Sequence, residues 1–199
     1  MNYSDVNLNS KKETNDPEYL QTLLDDILSK DDQVRFSSFQ TLLTISEKHP
    51  DVLYKHWDQL AKMLSSKNSY HQYIGIHLIA NLTRIDSENK FDQIYENYFG
   101  IIKQGRTMTS AHAIEKAGKI AKFKQQYRSK ITSLLLNFDN IYKGKQTELM
   151  KASVIRAFSY YFEESNQKED IIKFAKKSEG SNSPKAHKLA IEFLQTYST

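Results

Sequence analysis

Five similar segments follow one another along this chain, and each contains two stretches in which apolar residues recur at helical spacing. When the second stretches are aligned, a small or medium-sized residue occupies the same place in every segment. These residues are Ser38, Gly75, Ala113, Val154 and Ala190, at intervals of 37, 38, 41 and 36 residues. One pair of helices cannot bury its apolar face alone, whereas stacked pairs share a continuous core. The repeat therefore predicts an all-α array of about five helix pairs.

The distribution of glycine and proline supports long helices and marks where the array begins. Only six Gly and three Pro occur in 199 residues, which is too few for a turn-dense all-β fold. Asp16 and Pro17 form a typical helix start, an N-cap residue followed by proline at the first helical position. Residues 1–15 are polar and lack periodicity, which predicts a disordered tail. We expect residues 16–199 to form a single domain.

A sequence motif is clearest in the first segment, which reads DDQVRFSSFQTLLTI. Its spacing, D-x-x-V-R-x-x-A-x-x-x-L, resembles the second helix of a HEAT repeat. The matching residues are Asp31, Val34, Arg35, Ser38 and Leu42. The later segments keep the period, but Lys151 and His187 stand where the motif has arginine.

The resemblance to the HEAT-repeat, armadillo-like family covers residues 17–198 as an architecture. It implies a right-handed, curved α-solenoid in which the second helices line the concave face. It also implies a binding surface, but no particular chemistry. A different stacking of the same helix pairs remains the alternative.

The charge along the chain is uneven. Residues 1–50 carry five basic and nine acidic side chains, whereas residues 101–150 carry ten and three. Such an asymmetry can steer a charged partner towards one part of a protein. We therefore expect a partner that is acidic where it meets repeats three to five.

The second helices carry basic and aromatic side chains opposite their apolar arcs, at 100° per residue. The predicted concave-face residues are Tyr73, His77, Arg84, His112, Lys116, Lys119, Arg156, Tyr160, Lys185 and Lys188. The stretch KAGKIAKFKQQYRSK supplies Lys116 and Lys119 to this set, while Lys124 to Lys130 are expected at the edge of the solenoid.

Two interpretations of these outward side chains remain open. They form a groove for an anionic ligand, or they are the solvated faces that every amphipathic helix has. If they form a groove, its ligand is an acidic protein or peptide segment, or alternatively the phosphates of a nucleic acid.

The usual signatures of catalysis and metal binding are missing from the sequence. It has no cysteine, no H-E-x-x-H motif, no histidine pair at i, i+4, no P-loop and no G-x-S-x-G. We therefore expect a non-catalytic binding or scaffold module without metal or cofactor. No apolar run approaches the length of a transmembrane helix, and the first residues lack the apolar region of a signal peptide. We expect a soluble, cytoplasmic protein that does not enter a membrane.

The segment HWDQLA, from His56 to Ala61, is weakly similar to a Trp-Asp element of HEAT-like alkylpurine DNA glycosylases. In those enzymes a second acidic residue follows three places after the aspartate, where this chain has Ala61. We instead expect Trp57 to pack against the adjoining repeat.

Overall fold

The structure is a computed structural model that describes residues 16–197. The predicted disordered tail, residues 1–15, lies outside the described residues. Within the described range the regular secondary structure is helical and contains no strand. The chain divides into two compact units, with the boundary between Ser87 and Glu88. A single domain over residues 16–199 stays a prediction.

The first unit contains five α-helices within its described residues. They are α1 (Pro17–Asp26), α2 (Asp32–Lys48), α3 (Pro50–Tyr54), α4 (Trp57–Met63) and α5 (Ser69–Leu82). A short 3₁₀ turn, Thr83–Ile85, follows α5. Helix α1 packs against α2, α4 packs against α5, and α2 also packs against α5. These contacts match the predicted stacking of two helix pairs.

Side-chain caps fix the starts of the first two helices. The carboxylate of Asp16 accepts hydrogen bonds from the backbone N–H groups of Glu18 and Tyr19, at 2.9 and 3.3 Å. Asp31 caps α2 in the same way, through the N–H groups of Gln33 and Val34. The predicted start at Asp16 and Pro17 is confirmed, because these caps satisfy donors that have no partner inside the helix.

The apolar spacing of the stretch DVLYKHWDQLAKMLSS, residues 51–66, predicts one helix, but the structure has two there, α3 and α4. The backbone tightens at the break, where the N–H of His56 donates to the carbonyl oxygen of Leu53 at 2.9 Å. Side chains three residues apart come together in such a tight turn. Tyr54 and Trp57 accordingly meet edge to face, with ring centroids 5.7 Å apart. Trp57 is buried.

The second unit contains seven α-helices within its described residues. They are α6 (Phe91–Lys103), α7 (Thr107–Phe123), α8 (Arg128–Leu136), α9 (Phe138–Ile141), α10 (Thr147–Ser159), α11 (Lys168–Glu179) and α12 (Pro184–Tyr197). Two 3₁₀ turns, Gln125–Tyr127 and Phe162–Glu164, precede α8 and follow α10. Helix α10 packs against both α7 and α12. The predicted second helices of repeats three to five are therefore neighbours.

The small residues that define the repeat lie in the cores of the two units. Ser38, Gly75, Ala113, Val154 and Ala190 are all buried. A Cβ atom on Gly75 would lie 3.1 Å from Cβ of Met63, so α4 and α5 approach closely there. The predicted packing role of these positions is confirmed. Among the helices of residues 16–197, none is long and apolar enough to cross a membrane.

Candidate functional site

Three of the predicted concave-face residues belong to the first unit, and the structure gives two of them packing roles. The Tyr73 ring is half-buried, 5.3 Å from Phe39 and 4.6 Å from His77. His77 is only 8% exposed, so the expectation that its ring faces outward is wrong. The reason is that Phe39 of α2 covers this part of α5, with its ring 5.8 Å from that of His77.

Arg84 is exposed, but it makes a structural contact. Its guanidinium donates a hydrogen bond of 2.9 Å to the carbonyl oxygen of Glu47, in the last turn of α2. The last carbonyl groups of a helix have no partner within the helix, and a basic side chain there also interacts favourably with the helix dipole. Arg84 thus stabilises the end of α2.

The predicted residues of α7, α10 and α12 come together in the second unit. Lys116 Nζ lies 6.0 Å from the centre of the Tyr160 ring. Arg156 and Lys116 both contact the same carboxylate, that of Glu115. The charges of Lys116, Arg156 and Lys185 lower the pKa of the His112 imidazole. We call His112, Glu115, Lys116, Arg156, Tyr160 and Lys185 the mixed-charge cluster.

Glu115 is the residue that sequence reasoning missed. Its carboxylate lies 3.0 Å from Lys116 Nζ and 3.5 Å from a guanidinium nitrogen of Arg156. The Glu115 side chain is 16% exposed, and that of Lys116 is 13% exposed. An acid beside a predicted basic stripe is a signal in the sequence, but only the fold shows that it holds two cations from different helices.

The pKa values of this ion pair reflect its contacts. Burial alone would raise the pKa of the Glu115 carboxyl. The hydrogen bond from Lys116 and the charges of Lys116, Arg156 and His112 outweigh it and lower that pKa. Burial alone would lower the pKa of the Lys116 ammonium, but the hydrogen bond to Glu115, the charge of Glu115 and the contact with Tyr160 raise it. Both groups are therefore charged at neutral pH.

Burial, one carboxylate and three cations act on the pKa of the His112 imidazole. Burial lowers its pKa, and the charges of Lys116, Lys185 and Arg156 lower it further, against the opposing effect of Glu115. The histidine is therefore neutral at pH 7, and its surroundings keep an excess of positive charge. Such surroundings favour an anionic group on a ligand.

A surface depression of about 390 Å³ opens at this cluster. Glu115, Arg156, Ser159 and Tyr160 line it. The Arg156 side chain is 45% exposed, so its guanidinium can reach a group placed in the depression. The Ser159 hydroxyl donates to the carbonyl oxygen of Ile155.

The two other predicted lysines lie beside the cluster along the chain. Lys119 follows Lys116 by one helical turn and is half-buried. Lys188 is exposed, and its Nζ lies 3.7 Å from a carboxylate oxygen of Glu192 on the same helix. Such an exposed pair contributes little to stability.

The basic residues that follow α7 hold the local structure together. Lys124 is buried, with its Nζ 3.0 Å from Oδ1 of Asn89. Arg128 donates to the carbonyl oxygens of Ala121, Lys122 and Glu164. The side chains of Lys124 and Arg128, which were predicted at the edge of the solenoid, are thus engaged in structural contacts.

Two further observations concern metal ligands and the accessibility of Trp57. Between residues 16 and 197, no three His, Asp or Glu side chains group as metal ligands would. Trp57 is 1% exposed, so its indole is not accessible to a nucleic acid base.

Comparisons with known proteins bear on the fold alone. No protein-family model and no curated protein matches the sequence. Among solved structures, the designed armadillo repeat protein YIII(Dq)4CqI is similar, with a TM-score of 0.56 and 12% sequence identity. The superposition covers 89% of this chain and 82% of the designed protein. The match confirms the predicted class, an all-α fold of solenoid-type helical repeats. The curvature and the inner position of the second helices stay predictions.

Proposed function

We propose that this protein is a non-catalytic binding module that holds an acidic segment of a protein or peptide partner at the mixed-charge cluster. The supporting observation is that Arg156 and Lys116, from neighbouring helices, contact the same carboxylate. The charge of Lys185, from a third helix, also acts on His112 beside them. Glu115 offsets one of these three positive charges, which leaves an excess of two. Helical repeat folds present extended surfaces that suit such binding.

Arg156 is the side chain best placed to contact the partner. It is almost half exposed, and it makes a single long contact with Glu115 at 3.5 Å. A guanidinium has five N–H donors in a planar fork that fits a carboxylate. Tyr160, beside Lys116, offers an aromatic face and a hydroxyl to the same ligand.

A second candidate function is nucleic acid binding through the same surface. The charge of the second unit favours it, because residues 88–199 carry nineteen basic and twelve acidic side chains. The Glu115 carboxylate reduces the positive charge available to an acidic peptide and to phosphates alike, so it does not distinguish the two functions. If nucleic acid binds, its affinity falls with salt by a slope of about 0.9 per duplex phosphate neutralised.

We assign the repeats to the HEAT type and the protein to the cytoplasm. Asp31 and Arg35 support the repeat type, and a chain without cysteine is consistent with a reducing compartment.

Replacing Arg156 and Lys185 by glutamine is expected to weaken binding of a fluorescein-labelled peptide of alternating Glu and Ser by about tenfold, because two cations facing the ligand are lost. The matched control replaces Lys173 and Lys176, exposed lysines on α11. Fluorescence anisotropy at low salt measures both affinities.

An equal loss of peptide affinity in the two double variants would mean that only the net charge of the protein matters. That result would overturn the assignment of the mixed-charge cluster as the binding site. The same measurement with single-stranded and duplex DNA separates the two functions. Tight DNA binding with a steep salt slope, without peptide binding, would establish the second function instead.

A further inference from the structure

An aromatic cleft opens between α2 and α5 in the first unit. None of the residues that line it belongs to the mixed-charge cluster. The volume of the cleft is about 480 Å³, within the range of pockets that bind ligands. Its walls are Phe36, Phe39, Tyr70, Tyr73 and Ile74. We call it the aromatic cleft.

Two of these wall residues are unusually exposed. Phe36 is 64% and Tyr70 is 52% exposed, more than any other large apolar side chain in residues 16–197. Burying a phenylalanine is strongly favourable, and exposed apolar patches mark interaction sites. Both side chains border the same depression, so a single ligand group could cover them together.

The walls are held in place before any ligand arrives. The Arg35 guanidinium lies 4.5 Å from the centre of the Tyr70 ring. Arg35 also donates to the carbonyl oxygen of Ser29 at 2.9 Å, and it forms a close ion pair with Asp32. Tyr73 is fixed edge to face on Phe39. A preformed site avoids part of the ordering cost of binding.

The exposed charged group that lines the cleft is the Asp32 carboxylate. Arg35 is the cation that lines the cleft, but its side chain is 9% exposed and lies under Tyr70 and Asp32. The Asp32 side chain is 82% exposed. The residues that line the cleft do not include Asp31, Lys30 or Lys67, which are exposed on the adjoining segments. Residues 16–87 carry seven basic and ten acidic side chains.

We propose that the aromatic cleft binds a peptide segment of another protein that inserts one aromatic or large aliphatic side chain and carries Lys or Arg beside it. The inserted side chain covers Phe36 and Tyr70, and the cation meets the Asp32 carboxylate. This preference is opposite in charge to that of the mixed-charge cluster. The proposal does not rest on the function proposed above, since it concerns other residues in another unit.

The test uses two capped pentapeptides, Gly-Lys-Trp-Lys-Gly and Gly-Glu-Trp-Glu-Gly, titrated into the full chain and followed by amide NMR. We expect the lysine peptide to shift the amides of Phe36, Tyr70 and Ile74, with an affinity about fivefold or more above that of the glutamate peptide at this cleft. Because shifts are read residue by residue, glutamate-peptide binding at α7 and α10 is recorded separately. Equal affinities at the cleft, or no shifts there, would overturn the proposal.

Two substitutions separate the apolar and the electrostatic contributions to binding of the lysine peptide. Phe36→Ser is expected to weaken lysine-peptide binding about tenfold, whereas Tyr19→Ser, a less exposed tyrosine on α1, leaves it unchanged. Asp32→Asn is expected to remove the preference for the lysine peptide, because it deletes the exposed carboxylate and leaves Arg35 unneutralised. A preference that survives Asp32→Asn would contradict the charge argument.

Two other occupants of the cleft give distinct outcomes. A dimer of the free chain in sedimentation that dissociates on Phe36→Ser would assign the cleft to a second copy. The chain has no cysteine, so a nitroxide on Ser4→Cys labels the N-terminal segment alone. Broadening of the Phe36 and Tyr70 amides in the free, labelled chain would assign the cleft to that segment. Either result would overturn the proposal.

Discussion

Gly118→Ala is expected to lower the free energy of unfolding by at least about 2 kcal/mol, although alanine is the better helix former. A Cβ atom at this position would lie 2.2 Å from the carbonyl oxygen of Ala157 and 2.7 Å from its Cα. Both contacts are with backbone, so α7 and α10 must move apart to make room. In a chain of this size the loss corresponds to a decrease in Tm of about 4–8 °C, which thermal denaturation followed by circular dichroism would measure.

The matched control is Gly100→Ala in the C-terminal part of α6. A Cβ atom on Gly100 would have no neighbour within 4 Å, so the exchange is expected to stabilise the protein by about 0.5–1 kcal/mol. If both variants change Tm in the same direction, the backbones of α7 and α10 do not approach as closely at Gly118 as the structure shows. The Gly118 variant should also weaken binding of the acidic peptide, because Glu115 and Arg156 lie on the two helices that it separates.

Lys116→Glu is expected to lower the free energy of unfolding by about 2–4 kcal/mol, because it places a second carboxylate beside the poorly exposed Glu115. This loss of stability is smaller than that expected on breaking a fully buried ion pair, since Arg156 still neutralises part of the charge of Glu115. Lys122→Glu makes the same charge change at an exposed position nearer the end of α7. We expect it to cost less than about 1 kcal/mol. Chemical denaturation of the two variants measures the difference.

The pH dependence of the same pair has a definite sign. The pKa of Glu115 is lowered in the folded protein, so the stability it contributes is present above its usual value of 4.5 and is lost as the pH falls through the folded value. The pKa of Lys116 is raised, so its contribution is present below its usual value of 10.5 and is lost as the pH rises further. The stability difference between wild type and Lys116→Met should be largest between these limits. A difference that stays constant from neutral pH to about pH 3 would contradict the ion pair.

Local sequence patterns predicted most of the helices because their causes are local. Apolar spacing within one helix and caps such as Asp16 and Asp31 depend on residues a few places apart. The division between α3 and α4 was not predicted, since it depends on a tight turn that brings Tyr54 and Trp57 together. Apolar spacing alone continues through that turn without interruption.

The candidate site was predicted only in part, because helix periodicity assigns a direction to a side chain but does not identify its neighbours. It placed Lys116, Arg156 and Tyr160 on outward faces, and the structure brings them together. It also placed His77 outward, where Phe39 of another helix covers it. The sequence pattern did not single out Phe36 and Tyr70, since their exposure depends on how α2 and α5 pack around the aromatic cleft.

The sequence by itself determined the repeat, and with it the helical class of the fold and the buried small positions. These follow from a period of about 36–41 residues and from the rule that a helix pair must share its apolar face with a neighbour. The tertiary structure decided which charges meet. Glu115 holds Lys116 and Arg156 because Gly118 lets the backbone of α7 touch that of α10. That contact joins residues about forty places apart, beyond the reach of any local pattern.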